Sequence, residues 1–459
     1  MNILFCIYEL DFADHIALAY LSAVARQRGH EPFLCVLSRE PLSAAVRRTS
    51  PRVIAYSANI QGATALLAAH GALLAGGQDI FSIMGGPYPT YYPETFDDSG
   101  MDAYCVGEGE GAFDDFLAAV EGGRPFDDIP NLITAKGSNP PRDLIRNLDD
   151  LPFPDRDLVL ANTFLRDTPK KTFYATRGCP FKCKYCCNNY FRKLYKGRGR
   201  VVRRFSVDRI IGEIQYVKAR YRTDFIKFGD DLFAMKADTW LAEFSQVYGR
   251  KIKIPFNCYL RIDAIDDELL ARLKEAGCHS VHLSVDSTSE IVREEVLGRQ
   301  MRPIDIVGTL GKIRDAGIHT WCNFMLAAPE SRLKDDLDAI ALGRAGRVTY
   351  PSFSTTVPLK GTDLYTYCKE HKLIDPVTHK NDMAGCTLPS TLSCFSPRDR
   401  AVRYNIYLVG AVIAKLPRPL FDLGLLLIRI VPPNPFFKWI RRRFYKYNIE
   451  NRIFKLHPS

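Results

Sequence analysis

Three cysteines, Cys179, Cys183 and Cys186, have the types and the spacing that could do the most chemistry in this sequence. They stand in the stretch Cys-Pro-Phe-Lys-Cys-Lys-Tyr-Cys, with three and then two residues between the thiols. Thiolates from one short loop can bind three corners of a cube-shaped iron–sulfur cluster, and the fourth iron then lacks a protein ligand. An iron with an open position can bind and activate a small molecule.

Two other interpretations of the three cysteines are buried structural thiols and half of a zinc site. Zinc sites favour paired C-x2-C units with a second pair or histidines further along the chain, and no pair of that spacing follows here. The neighbouring Cys187 is predicted to point away from the cluster if adjacent side chains alternate. The spacing therefore favours the cluster.

This cysteine loop resembles that of the radical S-adenosylmethionine (radical SAM) enzymes. Their signature is C-x3-C-x2-C with an aromatic residue just before the third cysteine, which here is Tyr185. The resemblance implies that the amino and carboxylate groups of SAM chelate the open iron. It also implies an electron donor such as flavodoxin or ferredoxin, and cleavage of SAM to a 5'-deoxyadenosyl radical that takes a hydrogen atom from the substrate.

Length and composition favour a globular protein of two or three domains, with 459 residues of which 46% are hydrophobic and 25% charged. The thirteen cysteines are scattered and odd in number, and the apolar start lacks the basic segment of a signal peptide. A reducing, cytoplasmic location is therefore expected.

The net charge of +10 is concentrated in two basic segments. Residues 192–204 hold seven cations and no acid, and residues 436–447 hold five more, so subtracting twelve from +10 leaves the remaining chain at about −2. A generally basic surface, typical of many nucleic-acid-binding proteins, is not indicated.

Short apolar strands alternate with helical stretches over residues 1–123, which predicts parallel βαβ units in a doubly wound sheet. The predicted strands are 3–8, 32–37, 53–57, 80–84 and 103–106, with helices at 15–28 and 61–74. Residues 124–168 are rich in Pro, Asp and Asn and are predicted to be a linker with one hairpin at most.

Two glycine-containing segments follow the fourth and fifth of these strands, Met-Gly-Gly-Pro-Tyr-Pro-Thr at 84–90 and Val-Gly-Glu-Gly-Glu at 106–110. Together they resemble G-G-P-H-P-T and V-G-E-G-E of the cobalamin-binding, Rossmann-like domain that precedes the catalytic domain in a large radical SAM subgroup. The cobalamin contacts that this resemblance implies are Ser57, Gln61, Gly85, Gly86, Tyr88, Thr90, Gly107, Glu108 and Gly109.

This sequence departs from the cobalamin pattern at two places. Tyr88 stands where the pattern often has His, and no D-x-H-x-x-G motif is present, so the cobalt is expected to lack a protein histidine below it. His15, near the end of the first strand, is interpreted as a solvated or capping residue. The alternative is a degenerate sheet that binds nothing.

A second series of six βα units over residues 169–358 resembles the partial (β/α)6 TIM-type barrel of radical SAM enzymes. The predicted strands are 172–176, 225–228, 254–258, 280–285, 319–326 and 351–357, and barrel sites lie at the carboxyl ends of the strands. The residues that this resemblance places in the SAM site are Tyr185, Gly229, Asp230, Asp231, Arg261, Ser284, Asp286 and Asn323.

Several of these residues have other readings. Asp231 could cap the next helix, and Arg261 could pair with a carboxylate of the ligand or form an ordinary surface ion pair. Asp286, in Ser-Val-Asp-Ser-Thr, replaces the longer carboxylate of the family's G-I-E-S-G, which weakens its expected ribose contact.

The predicted function is methylation of an unactivated carbon, or of a phosphinate phosphorus, in a small or lipid-like substrate, because cobalamin can accept a methyl group from SAM. The alternatives are a radical cyclisation, rearrangement or C–C coupling without net methyl transfer, and an RNA-modifying protein that uses the basic segment 192–204. That segment holds one aromatic residue, Tyr195, so a nucleic-acid partner is not favoured.

Residues 359–459 are expected to be mostly helical and to contact the inner face of a membrane peripherally. The apolar runs 406–414 and 419–431 are too short to span a bilayer, which needs about 20 apolar residues. The segment 436–443 interleaves aromatic and basic side chains, which favours an anionic interface. The alternative is an ordinary packed helical region with a solvated basic end. Cys386 and Cys394 are too few for a second cluster and are interpreted as core or incidental thiols.

Overall fold

The computed structural model describes residues 1–10, 14–375 and 383–456. These residues form two compact units. The first consists of Met1–Thr168, Phe191–Arg203 and Val217–Arg222, and the second of Pro169–Tyr190, Arg204–Tyr216 and the chain from Thr223 onward.

The first unit is built on a seven-stranded sheet. Its strands are β1 (Asn2–Ile7), β2 (Glu31–Val36), β3 (Val53–Ser57), β4 (Phe81–Gly85), β5 (Ala103–Cys105), β6 (Leu132–Thr134) and β7 (Gly137–Ser138). They lie in the order β2-β1-β3-β4-β5-β6-β7; the first five are parallel, and the β6–β7 hairpin is added antiparallel to β5.

Helices cover both faces of this sheet because consecutive residues of the buried strands are apolar, so that both faces are apolar. Ile3 and Phe5 of β1 belong to one hydrophobic core, whereas Leu4 and Cys6 belong to the other. The helices are α1 (Ile16–Gln27), α2 (Leu42–Thr49), α3 (Ala63–Ala75), α4 (Pro87–Tyr91), α5 (Glu110–Glu121) and α6 (Asp157–Leu160). The predicted doubly wound sheet is confirmed.

The second unit contains six parallel strands that lie side by side in chain order. They are β8 (Lys170–Phe173), β11 (Phe225–Phe228), β12 (Phe256–Tyr259), β13 (Cys278–Asp286), β14 (His319–Leu326) and β15 (Tyr350–Thr355), while β9 (Thr176–Arg177) and β10 (Arg203–Arg204) are two-residue strands. The fold class predicted for this part, a partial (β/α)6 barrel, is confirmed.

Helices separate the barrel strands, and several begin at an aspartate that accepts a backbone N–H. Asp238, Asp266 and Asp305 are N-caps of this kind. The alternative in which Asp231 caps the next helix is wrong, because Asp238 does so. The helices are α7 (Cys187–Leu194), α8 (Val207–Lys218), α9 (Thr239–Lys251), α10 (Asp267–Glu275), α11 (Ile306–Asp315), α12 (Leu333–Ala345) and α13 (Asp363–Glu370).

Three further helices follow the barrel, α14 (Pro397–Ile413), α15 (Arg418–Ile430) and α16 (Pro435–Lys446), and then a π-helical segment, Tyr447–Ile453. The apolar run 406–414 lies within α14 and its C-cap and is buried except for Val412. It therefore cannot contribute to the membrane contact that was expected of this region. Cys386 is half-buried and Cys394 is exposed. No helix among the described residues has the length and apolar character needed to cross a membrane.

Candidate functional site

The cysteine loop follows β9 and leads into α7. Cys183 is buried and accepts a backbone hydrogen bond from Cys186 at 3.1 Å, while Cys179 and Cys186 are half-buried. Cys187 is exposed. Its thiol is hydrogen-bonded to that of Cys186, because α7 begins at Cys187 and side chains do not alternate in a helix.

The carboxyl end of β11 holds the chain that enters the cysteine loop. Oδ1 of the buried Asp230 accepts hydrogen bonds from the backbone N–H groups of Ala175 and Thr176 at 2.8 and 2.5 Å, and from the Thr176 hydroxyl at 2.8 Å. Burial nevertheless raises the pKa of Asp230 to about 7. Gly229 beside it leaves room for Tyr174, whose ring carbon Cζ would lie 2.7 Å from an added Cβ.

The carboxyl end of β12 contacts the middle of the loop through Arg261. Its guanidinium lies 3.7 Å from the ring centroid of Phe181, within the cysteine stretch. Two of its nitrogens also donate to Asp263, at 2.9 and 3.0 Å. Because Arg261 is only 5% exposed, the alternative of a surface ion pair is wrong.

The carboxyl end of β13 contacts the third side of the loop. The hydroxyl of Tyr185 donates to Oδ2 of Asp286 at 2.6 Å, and Nε of Arg299 lies 3.0 Å from the same oxygen. Ser284 donates to the other carboxylate oxygen. Asp286 has φ 65, a left-handed conformation that Asp tolerates better than most residues, and it is 2% exposed.

Two backbone hydrogen bonds of Lys184 complete this support. Its N–H donates to the carbonyl of Leu297 at 2.8 Å, and its carbonyl accepts from Leu364 at 2.9 Å. Gly298 allows the close approach, because an added Cβ would lie 2.7 Å from Cγ of Lys184. The ends of three strands and the backbone bonds of Lys184 therefore position the loop without a cofactor.

The donor set of the loop fits an iron–sulfur cluster. Burial raises the pKa of the Cys179 thiol to about 11, so a bound cation is needed to favour the thiolate at neutral pH. No group of three or more His, Cys, Asp or Glu side chains among the described residues is arranged around a single metal ion. A cluster requires no such convergence, since each thiolate binds a separate iron.

Two of the predicted SAM residues remain accessible. Asp231 is exposed and accepts hydrogen bonds from Asn188 and the backbone of Gly178, at the cysteine loop. Desolvation raises the pKa of its carboxyl group, and these hydrogen bonds oppose that rise. Asn323 is half-buried on β14 and donates to Ser354 at 3.4 Å. Asp230, Arg261 and Asp286, by contrast, are buried, at 2%, 5% and 2% exposure.

A row of side chains crosses four strands of the barrel, β11 to β14, and was not predicted from the sequence. The rings of Tyr259 and His282 are 4.4 Å apart, and those of His282 and Trp321 are 4.2 Å apart at an interplanar angle of 11°. Lys227 lies 5.3 Å from the Tyr259 ring centroid. We call these four residues the ring ladder.

The ring ladder faces the barrel interior. On β14, His319, Trp321, Asn323 and Met325 are half-buried, whereas the residues between them are buried under the helices. Nδ1 of His282 and Nε1 of Trp321 are buried without a hydrogen-bond partner. The sequence does contain a signal for this row. Residues alternate along β14 with a period of two, and one side of the strand carries polar and aromatic residues.

In the first unit, the predicted cobalamin segments follow three neighbouring strands. Gly86 has φ 101, and an added Cβ would lie 2.8 Å from the carbonyl oxygen of Ala58. The Thr90 hydroxyl donates to Gly86 O at 2.8 Å and accepts from Gly107 N at 3.2 Å, which links the loops after β4 and β5. An added Cβ at Gly85 would meet only Cys105, at 3.9 Å, so backbone there is open to a ligand.

The loop after β5 has a different environment from the one expected. Two nitrogens of Arg203 contact the carboxylate oxygens of Glu108 at 3.0 and 2.5 Å, in a largely buried pair. The Tyr195 hydroxyl accepts from Glu108 N at 2.7 Å and from Asn131 Nδ2 at 3.1 Å. An added Cβ at Gly107 would lie 2.1 Å from that hydroxyl. The Glu108 side chain thus supports its own loop, a role that its sequence did not indicate.

The remaining predicted positions of this part are more exposed. Ser57 and Tyr88 are half-buried and Gln61 is exposed, whereas Gly109 would tolerate a Cβ with its nearest neighbours at 3.7 Å. His15 is the N-cap residue of α1, with φ 41 and no side-chain cap hydrogen bond.

Two features define the class of protein. One is a doubly wound sheet with open glycine loops, and the other is a parallel partial barrel with a three-cysteine loop at its strand ends. The Radical SAM superfamily matches residues 173–341, and the B12 binding domain matches residues 12–117. The chain therefore combines the two domains of the B12-dependent radical SAM family. The three predicted cofactors, a [4Fe-4S] cluster, SAM and cobalamin, are those of this family.

Known relatives carry methyltransferase names. An uncharacterized methyltransferase of Pyrococcus horikoshii is 26% identical over 305 residues, covering 65% of each chain. The cytidylyl-2-hydroxyethylphosphonate methyltransferase of Streptomyces wedmorensis is 21% identical, over 64% of this chain and 62% of that protein. The chain thus spans slightly less than two thirds of the length of these relatives.

The fold is also similar to a solved structure. The radical SAM methyltransferase TsrM from Kitasatospora setae, with tryptophan substrate and a SAM analogue bound, has a TM-score of 0.70 over 98% of both chains. Its sequence identity is 13%.

Proposed function

We propose that this protein transfers a methyl group from SAM to an unactivated carbon, or to a phosphorus, of a small or lipid-like molecule. The observation that carries the proposal is the cysteine loop, held by Asp230, Arg261 and Asp286 from three successive strand ends. When bound, the cluster supplies the electron that cleaves SAM, and cobalamin supplies a carrier for the methyl group.

The residues of the chain then divide into binding and positioning groups. Cys179, Cys183 and Cys186 would hold three irons, and the exposed Asp231 offers a carboxylate for the SAM ammonium group. Asp230, Arg261 and Asp286 are positioning residues, because Oδ1 of Asp230, the Arg261 guanidinium and both Asp286 oxygens already bind the loop or its supports. The buried Oδ2 of Asp230 has no hydrogen-bond partner. Holding reacting groups in fixed positions is the main contribution that a protein makes to cofactor chemistry.

The substrate is proposed to lie in the barrel above the ring ladder. Buried donors and acceptors without partners are rare in proteins, so Nδ1 of His282 and Nε1 of Trp321 mark a polar ligand or ordered water. Tyr259, His282 and Trp321 offer ring edges, because their faces stack on one another, and Asn323 offers an amide. We also propose that the chain is divided into a cobalamin-binding domain at residues 1–123, a linker at 124–168, the barrel at 169–358 and a helical region at 359–459.

The nucleic-acid alternative loses support. Tyr195, the aromatic residue of the basic segment 192–204, is 1% exposed and cannot stack on a base. Arg203 is paired with Glu108, and Arg204 is paired with Asp238 at 2.6 Å and lies 5.0 Å from the Trp240 ring centroid. These cations contribute to the fold.

The test is product analysis with methyl-labelled SAM. The protein, with its cluster reconstituted and cobalamin bound, would be incubated anaerobically with reductant, labelled SAM and a metabolite extract separated into polar and lipid fractions. We expect S-adenosylhomocysteine and label in one fraction. 5'-Deoxyadenosine without transferred label would instead establish a rearrangement or coupling reaction and contradict the proposal.

The matched control compares two neighbouring cysteines. Cys183→Ala removes a buried thiol of the proposed cluster set and is expected to abolish SAM cleavage, whereas Cys187→Ala removes an exposed thiol and should leave most of it. Full SAM cleavage by reconstituted Cys183→Ala would disprove the cluster assignment.

A further inference from the structure

Helix α15 has an apolar surface that is much wider than the part of it that is buried. One face is buried through Phe421, Gly424 and Ile428. The other is exposed, and an ordinary surface helix has only one apolar stripe, the one that faces the core. Its side chains are Leu420, Leu423, Leu426, Leu427 and Ile430, which are 47%, 48%, 52%, 39% and 63% exposed.

The exposed face extends far beyond the edge of the buried one. At about 100° per residue, the five exposed positions fall within an arc of about 120°, and the three buried positions fall in another arc of about 60° beside it. Exposed leucines scattered singly need no explanation, but five on one face of one helix form a contiguous patch that usually marks an interaction site.

Helix α16 also carries exposed apolar side chains. None of its residues is buried. Phe436 and Trp439 are 63% and 55% exposed, and their rings stack with centroids 5.9 Å apart. Lys438, Arg442 and Arg443 on the same helix are exposed cations. Aromatic rings mixed with cations are typical of helices that lie at a membrane interface.

The charge of this region selects the partner. Residues 418–446, which span both helices, contain seven Lys or Arg residues and one acid, Asp422, so subtracting one from seven gives a net charge of about +6. In a two-fold dimer the same surface would face its copy, and six net charges would oppose six. An anionic surface would instead compensate them.

We propose that the exposed faces of α15 and α16 dock onto an anionic lipid bilayer. The helices have 13 and 12 residues, so they lie on the surface and do not span it. The apolar side chains would enter the headgroup region, while the cations contact lipid phosphates. This interaction surface does not depend on the proposed function.

The surface is already fixed in position on the second unit. The buried Asn405 of α14 donates to the carbonyls of Ile428 and Val431, at 3.0 and 2.7 Å, at the end of α15. Gly424 lets α15 approach α14 closely, because an added Cβ would lie 3.1 Å from Ile413. Docking therefore requires no ordering of the helices, which lowers its entropic cost.

The test is flotation of the full-length protein with two kinds of vesicles. With vesicles of phosphatidylcholine and phosphatidylglycerol the protein is expected to float, and with phosphatidylcholine alone most of it should stay at the bottom. Trp439 provides a second readout, because its exposed indole should shift its fluorescence emission to shorter wavelength when anionic vesicles are added.

Matched variants separate the surface from general apolar exposure. Ile430→Asp is expected to reduce flotation at least tenfold, whereas Ile291→Asp, at a residue 64% exposed elsewhere in the second unit, should leave it unchanged. Arg442→Glu with Arg443→Glu tests the charge and should abolish the preference for anionic vesicles. Thermal melting of each variant would confirm folding.

Two results would overturn the proposal. One is failure of the folded, full-length protein to float with anionic vesicles. The other is a dimer in light scattering that Ile430→Asp dissociates, without vesicle binding, since the apolar face would then be an interface between copies.

Discussion

The hydroxyl of Tyr185 donates a hydrogen bond of 2.6 Å to Oδ2 of Asp286, and this bond joins the cysteine loop to the end of β13. Tyr185 stands directly before Cys186, so its ring orientation affects the position of that thiol. Arg299 lies 3.0 Å from the same carboxylate oxygen and donates to the carbonyl of Ser284 at 2.7 Å. The three side chains form a buried network that orients the loop.

Arg299→Met is predicted to destabilise the protein by about 3–5 kcal/mol, because it leaves the Asp286 carboxylate buried beside Tyr185 without its cation. Chemical denaturation would measure the loss, and iron content per chain would show whether the loop still holds a cluster. The double variant with Asp286→Asn should recover part of the stability, since the uncompensated charge is gone. A double variant no more stable than Arg299→Met would argue against the ion pair.

The barrel histidines predict a loss of stability in acid. Burial, and secondarily Lys227, lowers the pKa of His282 to about 3, and burial, with His279 and Arg452, lowers that of His319 to about 4. Both values lie below the ordinary 6.5, so the unfolded chain binds more protons between these limits. Their contribution to stability is therefore complete above pH 6.5 and declines as the pH falls towards 4.

Melting temperatures across this pH range would test the effect. His282→Phe keeps an aromatic ring in the ring ladder but cannot be protonated, so its melting temperature should fall less on acidification than that of the parent protein. The matched change His371→Phe, at an exposed histidine, should leave the parent slope as it is. Equal slopes for all three proteins would contradict the assignment to His282.

Tyr195→Phe is predicted to weaken the loop after β5. The variant leaves the N–H of Glu108 without its acceptor, and an unsatisfied buried donor costs about 1–3 kcal/mol. Asn131 Nδ2 loses one of its two bonds and keeps the other, to the Val106 carbonyl at 2.7 Å. Spectrophotometric titration with hydroxocobalamin should show a higher Kd, together with a lower melting temperature. Tyr447→Phe, at a tyrosine 58% exposed, is the control and should change neither.

The regular parts of the fold were predictable because they depend on local pattern. The strands Val53–Ser57, Phe225–Phe228 and His319–Leu326 begin and end where their apolar runs predicted. The cysteine stretch was recognisable from spacing alone. These features are encoded within a few consecutive residues.

The partners of the site residues were not predictable, because they depend on contacts between residues far apart in the chain. Glu108 pairs with Arg203, and Asp286 with Arg299, across separations that no local pattern encodes. For the same reason Arg261 was expected at a ligand, whereas the fold brings Phe181 and Asp263 to it. The apolar run of α14 was predicted to lie on a membrane surface, but tertiary contacts, which the local sequence does not encode, bury it.

The last prediction concerns the lower face of the cobalamin. The described first unit contains three histidines, His15, His30 and His70. Nδ1 of His30 lies 3.2 Å from the amino group of Met1, and Nδ1 of His70 lies 3.0 Å from the Tyr56 hydroxyl. The third, His15, is not part of a D-x-H-x-x-G motif. The electron paramagnetic resonance spectrum of the cob(II)alamin form is therefore expected to lack nitrogen splitting from a protein imidazole, and His15→Ala should leave it unchanged. Nitrogen splitting that disappears in His15→Ala would identify His15 as a cobalt ligand and overturn the prediction.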